Sequence, residues 1–228
     1  MLEELAEGIW IVSAPLVMIG LHLGTRMTVI RSNDGSLILH SPIRIDEAMK
    51  SEIGRLGKVS HIVAPNLYHH LYSGDAQKLW PEAQLLGPQK LHAKRKDLKF
   101  DGIFHEDEDH PIWKGMRLIT IGGTMLGETA IYHEATGVLI SSDLIENFTS
   151  SPHFFTRCYL KLSGIHGKPG WGKMLRFLYR DRNRARADFE RLLAFGFDKI
   201  VLAHGNDIIR EDGQRILRKG MAWLLEKK

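Results

Sequence analysis

The stretch HIVAPNLYHHLYSGD, residues 61–75, sets the reading of the chain. Its first four residues read as a buried strand. Pro65 stops that strand, because proline brings no N–H to a ladder. Two adjacent imidazoles, His69 and His70, follow, and GDAQKLW then reads as a short helix. A strand that hands over to polar side chains and then to a helix leaves those side chains at a sheet edge, where loops carry function.

Two other runs share this design. VLISSD ends in Asp143 and KIVLAH ends in His204. Neutral imidazoles and a carboxylate are suitable ligands for zinc, iron or manganese. A lone histidine at a strand end is ordinarily a hydrogen-bonded structural residue. Three strand ends that carry His, His, Asp and His between them point to a metal. The chain's 12 histidines agree with that.

The rest supplies strands and helices around these ends. GIWIVSA reads as a strand, and TRMTVIRSNDGSLILHS as a hairpin turning at Asp34-Gly35. IDEAMKSEIGRLG has helical spacing and stops at Gly57, AQLLGP reads as a strand, and LHAKRKD as a helical turn or two. MRLITIGG and the hairpin ETAIYHEATGVLISSD add strands. Residues 146–172, rich in Gly, Ser and Pro, read as a lid or extended loop. MLRFLYR and DRNRARADFERLLAFG read as helices, the second with Asp181 as N-cap, and a last helix covers about 211–226. HEDEDH, residues 105–110, reads as a solvated loop, because consecutive acids cannot all face one ion. Two sheets with helices outside fit this order, an α/β fold.

Composition narrows the classes. With 228 residues, 43% hydrophobic and 25% charged, the chain reads as one domain over 1–228. The net charge of +4 suits an anionic small molecule and does not call for nucleic acid. Cys158 is the single cysteine, so no internal disulfide forms. The acidic start and the break at Ser13 and Pro15 do not make a signal peptide, and no apolar run approaches the roughly 18 residues of a membrane span. A cytoplasmic protein without a membrane partner is expected. The oligomeric state is left open.

In the order of its elements the sequence resembles the metallo-β-lactamase superfamily, most closely a branch with a His-His pair in its signature loop. PNLYHH stands where the superfamily has H-x-H-x-D-H, Asp143 where a later hairpin ends, and His204 in the closing LAHG. The resemblance implies a four-layer αβ/βα sandwich with the metal site between the sheets. Aligned on His70, His69 falls on the aspartate, Leu67 on the second histidine and Pro65 on the first. GGTMLGE, residues 122–128, lacks the histidine expected there. The first metal site's private ligands are therefore all missing. Those of the second correspond to His69, His70, Asp143 and His204, which implies a mononuclear site.

The expected function is hydrolysis of an ester, thioester, lactone or phosphoester by one divalent transition metal, zinc in the first place, iron or manganese otherwise. Asp143 and Glu128 are the expected catalytic carboxylates; Glu128 reads as weak ligand, base or plain strand start. Four protein ligands sit awkwardly with the open position that catalytic zinc needs. The alternative is a non-catalytic relative with a structural or vestigial ion. His40 is a candidate partner for a ligand histidine, Asn66 and Tyr68 for substrate orientation. The basic stretch from Lys168 to Arg186 reads as a solvated helix face or as an anion-binding rim.

Overall fold

The computed structural model describes residues 1–106 and 110–226. Strands β1 (Glu3–Ala6) and β2 (Ile9–Ala14) open the chain, and a small hairpin follows, β3 (Val17–Met18) and β4 (Leu21–His22). The expected first hairpin is β5 (Thr25–Arg31) with β6 (Leu37–His40), antiparallel with Val29 opposite Leu39. From β6 the chain passes through α1 (Glu47–Leu56) to β7 (Val59–Val63), through α2 (Ser73–Leu79) to β8 (Gln84–Gly87), and through α3 (Gln89–Lys94) to β9 (Gly102–Ile103). Strands β6 to β9 are parallel, and the sheet order is β1-β2-β5-β6-β7-β8-β9. The second sheet is β10 (Met116–Thr120), β11 (Thr129–His133), β12 (Val138–Ile140) and β13 (Lys199–Val201), in that order, with β12 and β13 parallel.

The layers follow from alternation along the strands. Ile9 and Ile11 of β2 point between the sheets and meet Ile131, Val138, Ile140 and Val201. Trp10 and Val12 of the same strand point outward, among Ile53 of α1 and Ala76 of α2. Leu139 and Ile200 point outward on the other side, against α5 (Arg182–Leu193), α6 (Gly213–Gly220) and α7 (Ala222–Leu225). A strand covered on both faces has no solvent side, so its sequence reads as a continuous apolar run. The result is the four-layer αβ/βα arrangement. Among the described residues no helix is long and apolar enough to cross a membrane.

Local chemistry sets the helix ends. Asp46 caps α1 by accepting from the Met49 N–H at 2.8 Å. Asp181 caps α5, accepting from the N–H groups of Asn183 and Arg184 at 3.1 and 3.0 Å. Gly123 makes that capped end possible. It sits at φ +69°, and a Cβ there would lie 2.1 Å from the Asp181 carbonyl oxygen.

Three expectations are corrected. Residues 154–163 lie in the stretch read as a lid or extended loop, within which FFTRCYL reads as a semi-buried strand or helix piece; they form α4 (Phe154–Ser163), where Thr156, Leu160 and Ser163 recur on one buried face and Gly164 closes the helix in the left-handed conformation. MLRFLYR is a 3₁₀ segment, Lys173–Leu178. The last helix is two, interrupted at Met221. Asp107 to Asp109 of the HEDEDH stretch lie outside the described residues.

Phe189 of α5 is fully buried among Tyr179, Leu192 and their neighbours. Phe189→Ala is expected to cost about 3–5 kcal/mol. In urea titrations the midpoint should fall while the slope stays unchanged.

Candidate metal centre

Parallel strands bring their C-terminal ends to one edge. Ser41 follows β6, Asn66 and His69 follow β7, Asp143 follows β12, and His204 follows β13. The crevice beyond such ends is where open α/β sheets place ligands.

Asn66 shapes the loop. It is fully buried, and its Oδ1 accepts from the N–H groups of Tyr68 and His69, both at 2.8 Å. Its Nδ2 donates to Asp143 Oδ2 at 2.7 Å and to Glu128 Oε2 at 3.1 Å. Both protons and both acceptor sites of the amide are thereby used. The Leu67 N–H bonds the Leu126 carbonyl at 3.0 Å, and the Thr129 N–H bonds the Pro65 carbonyl at 3.1 Å. The positions without histidine thus tie the loop to the facing sheet through their backbones.

Among the described residues, His69, Asp143 and His204 bring one ligand atom each within 4.8 Å of one another. His69 Nε2 lies 3.2 Å from His204 Nε2 and 3.3 Å from Asp143 Oδ1. His204 Nε2 lies 3.5 Å from the same oxygen. A tetrahedral site with bonds of roughly 2.0–2.1 Å needs donors about 3.3 Å apart. The three donors therefore fit one transition-metal ion.

Each imidazole is fixed by its other nitrogen. His204 Nδ1 meets the Gly24 carbonyl at 2.8 Å. A carbonyl only accepts, so Nδ1 carries the proton and Nε2 presents a lone pair. His69 Nδ1 lies 2.9 Å from Ser41 Oγ, and Ser41 holds a φ of +54°, a strained value for a non-glycine residue. Gly205 sits at φ +114°, where a Cβ would lie 2.0 Å from the Asn147 carbonyl oxygen, so only glycine brings the chain past His204.

The electrostatics match a ligand set. Burial alone would raise the Asp143 carboxyl, but His69, His204 and the Asn66 amide hold it well below the usual carboxylate range. Burial holds His204 below the ordinary histidine value despite Asp143. Burial also works against a charged His69, but the charges of Asp143 and Glu128 raise it. A cavity of about 40 Å³, lined by Leu16, Met18, Tyr68 and Tyr72 with His69 and His204, adjoins the group. It has room for about one or two waters.

The remaining expectations part company here. His70 is not brought into the group. Successive side chains of the turn diverge, and His70 Nδ1 accepts from Arg95 Nη1 at 2.7 Å. Burial and the cations of Lys94 and Arg95 lower its pKa to about 4. Glu128, expected as base or ligand, braces the loop instead. Its Oε1 accepts from the Ser142 N–H at 2.5 Å, and its Oε2 from the Asp143 N–H at 2.7 Å as well as from Asn66. Burial, with Asp143 nearby, pushes this carboxyl up to about 7. His40 gives way to its neighbour Ser41 as the partner of a ligand histidine; burial lowers His40 to about 3, and its Nε2 has no hydrogen-bond partner.

Sequence reasoning missed Ser41, the Gly24 carbonyl and Glu146. For Glu146 the signal is an acid inside the apolar run Leu144-Ile145-Glu146. The residue is buried, its Oε2 has no partner among the described residues, and burial pushes its carboxyl up to about 8.

Solved metallo-beta-lactamases share this architecture. One from Pontibacter korlensis superposes with a TM-score of 0.68 at 12% identity, covering 100% of this chain and 99% of that one. One from Hirschia baltica gives 0.66 at 11%, covering 100% and 98%. The metallo-beta-lactamase FIM-1 from Pseudomonas aeruginosa, solved in its mono-zinc form, gives 0.63 at 10%, covering 99% and 96%. The fold is therefore the metallo-β-lactamase fold, and at these identities the likeness extends to the fold alone. The chain belongs to the family described as Domain of unknown function (DUF4336), whose model matches residues 6–203. No curated protein matches it.

Glu146 sets a pH dependence. Its folded pKa lies above its ordinary value of 4.5. The folded state therefore keeps a proton that the unfolded chain releases, and stability falls as pH rises from about 4.5 through about 8. Glu146→Gln, which stays neutral, should match the parent near pH 4.5 and melt higher at pH 8.5. At this length each kcal/mol corresponds to roughly 2–4 °C. Differential scanning calorimetry at the two pH values measures the difference.

Proposed function

We propose that the protein is a mononuclear metal-dependent hydrolase with one divalent ion on His69, Asp143 and His204. The observation that carries this reading is the triangle of donors, 3.2 to 3.5 Å on a side, with both imidazoles locked from behind. Three protein ligands leave the fourth position open, as catalytic zinc sites do. The awkward fourth ligand disappears with the diversion of His70.

When bound, the ion supplies a Lewis acid and lowers the pKa of water toward about 7. The chain supplies the rest. The Gly24 carbonyl keeps the His204 proton on Nδ1, so Nε2 stays free to ligate. Asn66 occupies Asp143 Oδ2 and leaves Oδ1 for the ion. Leu16 and Met18 limit water, while Tyr68 and Tyr72 line the same space and suit the orientation of a polar substrate group. The chemistry fits an ester, thioester, lactone or phosphoester of a small, anionic molecule. Zinc is the first choice; iron or manganese would accept further water ligands.

One observation favours a second reading, a structural ion in a non-catalytic binding protein. The space beside the donors is only about 40 Å³, too small for a substrate unless the β3–β4 hairpin moves.

Metal analysis of protein from supplemented cultures should find about one equivalent per chain. His69→Ala, Asp143→Ala and His204→Ala should each lower metal affinity at least about tenfold. His70→Ala should retain the metal. A panel of aryl esters, thioesters, lactones and phosphodiesters should show turnover that Asp143→Ala abolishes. Full metal loading with no turnover on the panel would select the structural reading. No bound metal would remove both.

A further inference from the structure

A second cleft, of about 360 Å³, shares no lining residue with the cavity at the metal centre. It forms where the loop after α4, the 3₁₀ segment 173–178 and helices α6 and α7 meet. Lys168, Lys173, Arg176, Arg215 and Lys219 line it, and among the described residues no Asp or Glu does. Arg215 is paired with Asp212. Among the described residues the other four cations have no carboxylate partner within ion-pair distance.

Unpartnered donors accompany these charges. Trp171 Nε1, Trp223 Nε1 and Arg176 Nε are buried atoms without an acceptor among the described residues, and all three residues line the cleft. Trp171 is only 4% exposed. Buried N–H donors nearly always find an acceptor, so three around one cavity call for an explanation. Arg176 lies 4.7 Å and Arg182 5.5 Å from the Trp223 ring centroid, and Tyr179 stands edge-to-face to both tryptophans. The face of Trp223 is thereby engaged by cations at the wall of the cleft. Converging cations and N–H donors suit an oxyanion of more than one charge.

The basic stretch of the sequence divides accordingly. Arg184 is spent on Asp188, and Arg186 on the Leu224 carbonyl and Asn183. Lys168, Lys173 and Arg176 face the cleft, joined there by residues some forty positions later. A solvated helix face would not gather unpaired cations from separate segments around a hollow.

We propose that this cleft binds a phosphate-bearing ligand, a phosphate monoester or a pyrophosphate, at a site separate from the metal centre. The phosphate could be carried by a soluble ester or by a phospholipid headgroup. Inorganic pyrophosphate titrated into the full chain, followed by calorimetry and tryptophan fluorescence, should bind saturably at one equivalent. Lys173→Glu and Lys219→Glu alter exposed side chains and should leave the fold intact. Each should weaken binding at least about tenfold, the scale of one lost contact to a charged group. Trp223→Phe keeps an aromatic ring but removes the N–H donor and should weaken binding severalfold. Asp143→Ala should leave binding unchanged, which separates this site from pyrophosphate captured by a metal ion. A parallel sedimentation arm uses phosphatidylcholine vesicles with and without phosphatidic acid. Capture only by the phosphatidic acid vesicles, lost in Lys173→Glu, would assign the phosphate to a lipid; pyrophosphate binding without capture would assign it to a soluble ester. Binding in neither arm, or binding indifferent to both lysine reversals, would overturn the proposal.

Discussion

The side-chain amide of Asn66 is the interaction on which the centre depends. It joins three parts of the chain that are distant in sequence: the loop after β7, the start of β11 and the loop after β12. An amide can do this because it donates on one side and accepts on the other. Its oxygen curls the loop so that His69 enters the crevice. Its nitrogen stands between two carboxylates that would otherwise face each other directly. An aspartate of the same shape would place a third carboxylate there and lose both donated bonds. The dry surroundings, with Asn66 fully buried and Glu128 almost so, make that loss larger than it would be in water.

Around this amide three candidate donors are held toward one point. Glu128 takes both backbone N–H groups of Ser142 and Asp143, so the loop that carries Asp143 is held from the segment just before β11 of the same sheet. The Asp143 carboxylate is then aimed by Asn66 on one oxygen and left free on the other. His69 and His204 approach that free oxygen from different sheets, each with its rear nitrogen held by a group close to the β5–β6 hairpin, Ser41 and Gly24. Arg26, on the same hairpin, donates to the Leu202 carbonyl and secures the strand end that delivers His204. Removing any one support would leave a ligand pointing correctly only part of the time, which costs affinity without removing a ligand.

The fold and three candidate donors that converge in it were legible in the sequence for a plain reason. Buried strands leave continuous apolar runs, and polar residues at their ends stand out against them, so Asp143 and His204 could be named directly. The pair His69-His70 could be located but not divided, because the direction of each ring depends on the turn that Asn66 builds and on Arg95, a residue of the neighbouring helix end. Glu128 could be placed near the site, but its role could not be read. The same carboxylate serves as base or brace according to which N–H groups surround it. Helix α4 could be read only as a strand or helix piece, because its setting among Gly, Ser and Pro masks the helical spacing of its buried residues. The cleft of unpaired cations was half visible. The stretch from Lys168 to Arg186 announces charge, but only packing shows which cations have partners.

The two sites meet through the backbone. Asp143 leads in three residues to Glu146, and the N–H and carbonyl of Glu146 both pair with Gly170, each at 3.0 Å. Gly170 lines the basic cleft between Lys168 and Trp171. The loop that aims the metal-facing carboxylate is thus stitched to the loop that presents the cations. The stitch lies beside a carboxyl that burial keeps protonated well above its ordinary range. A neutral Glu146 adds no negative charge to a region that already holds Asp143, and none to the wall of a cleft suited to anions. If it ionised, its charge would oppose an anion held in the cleft.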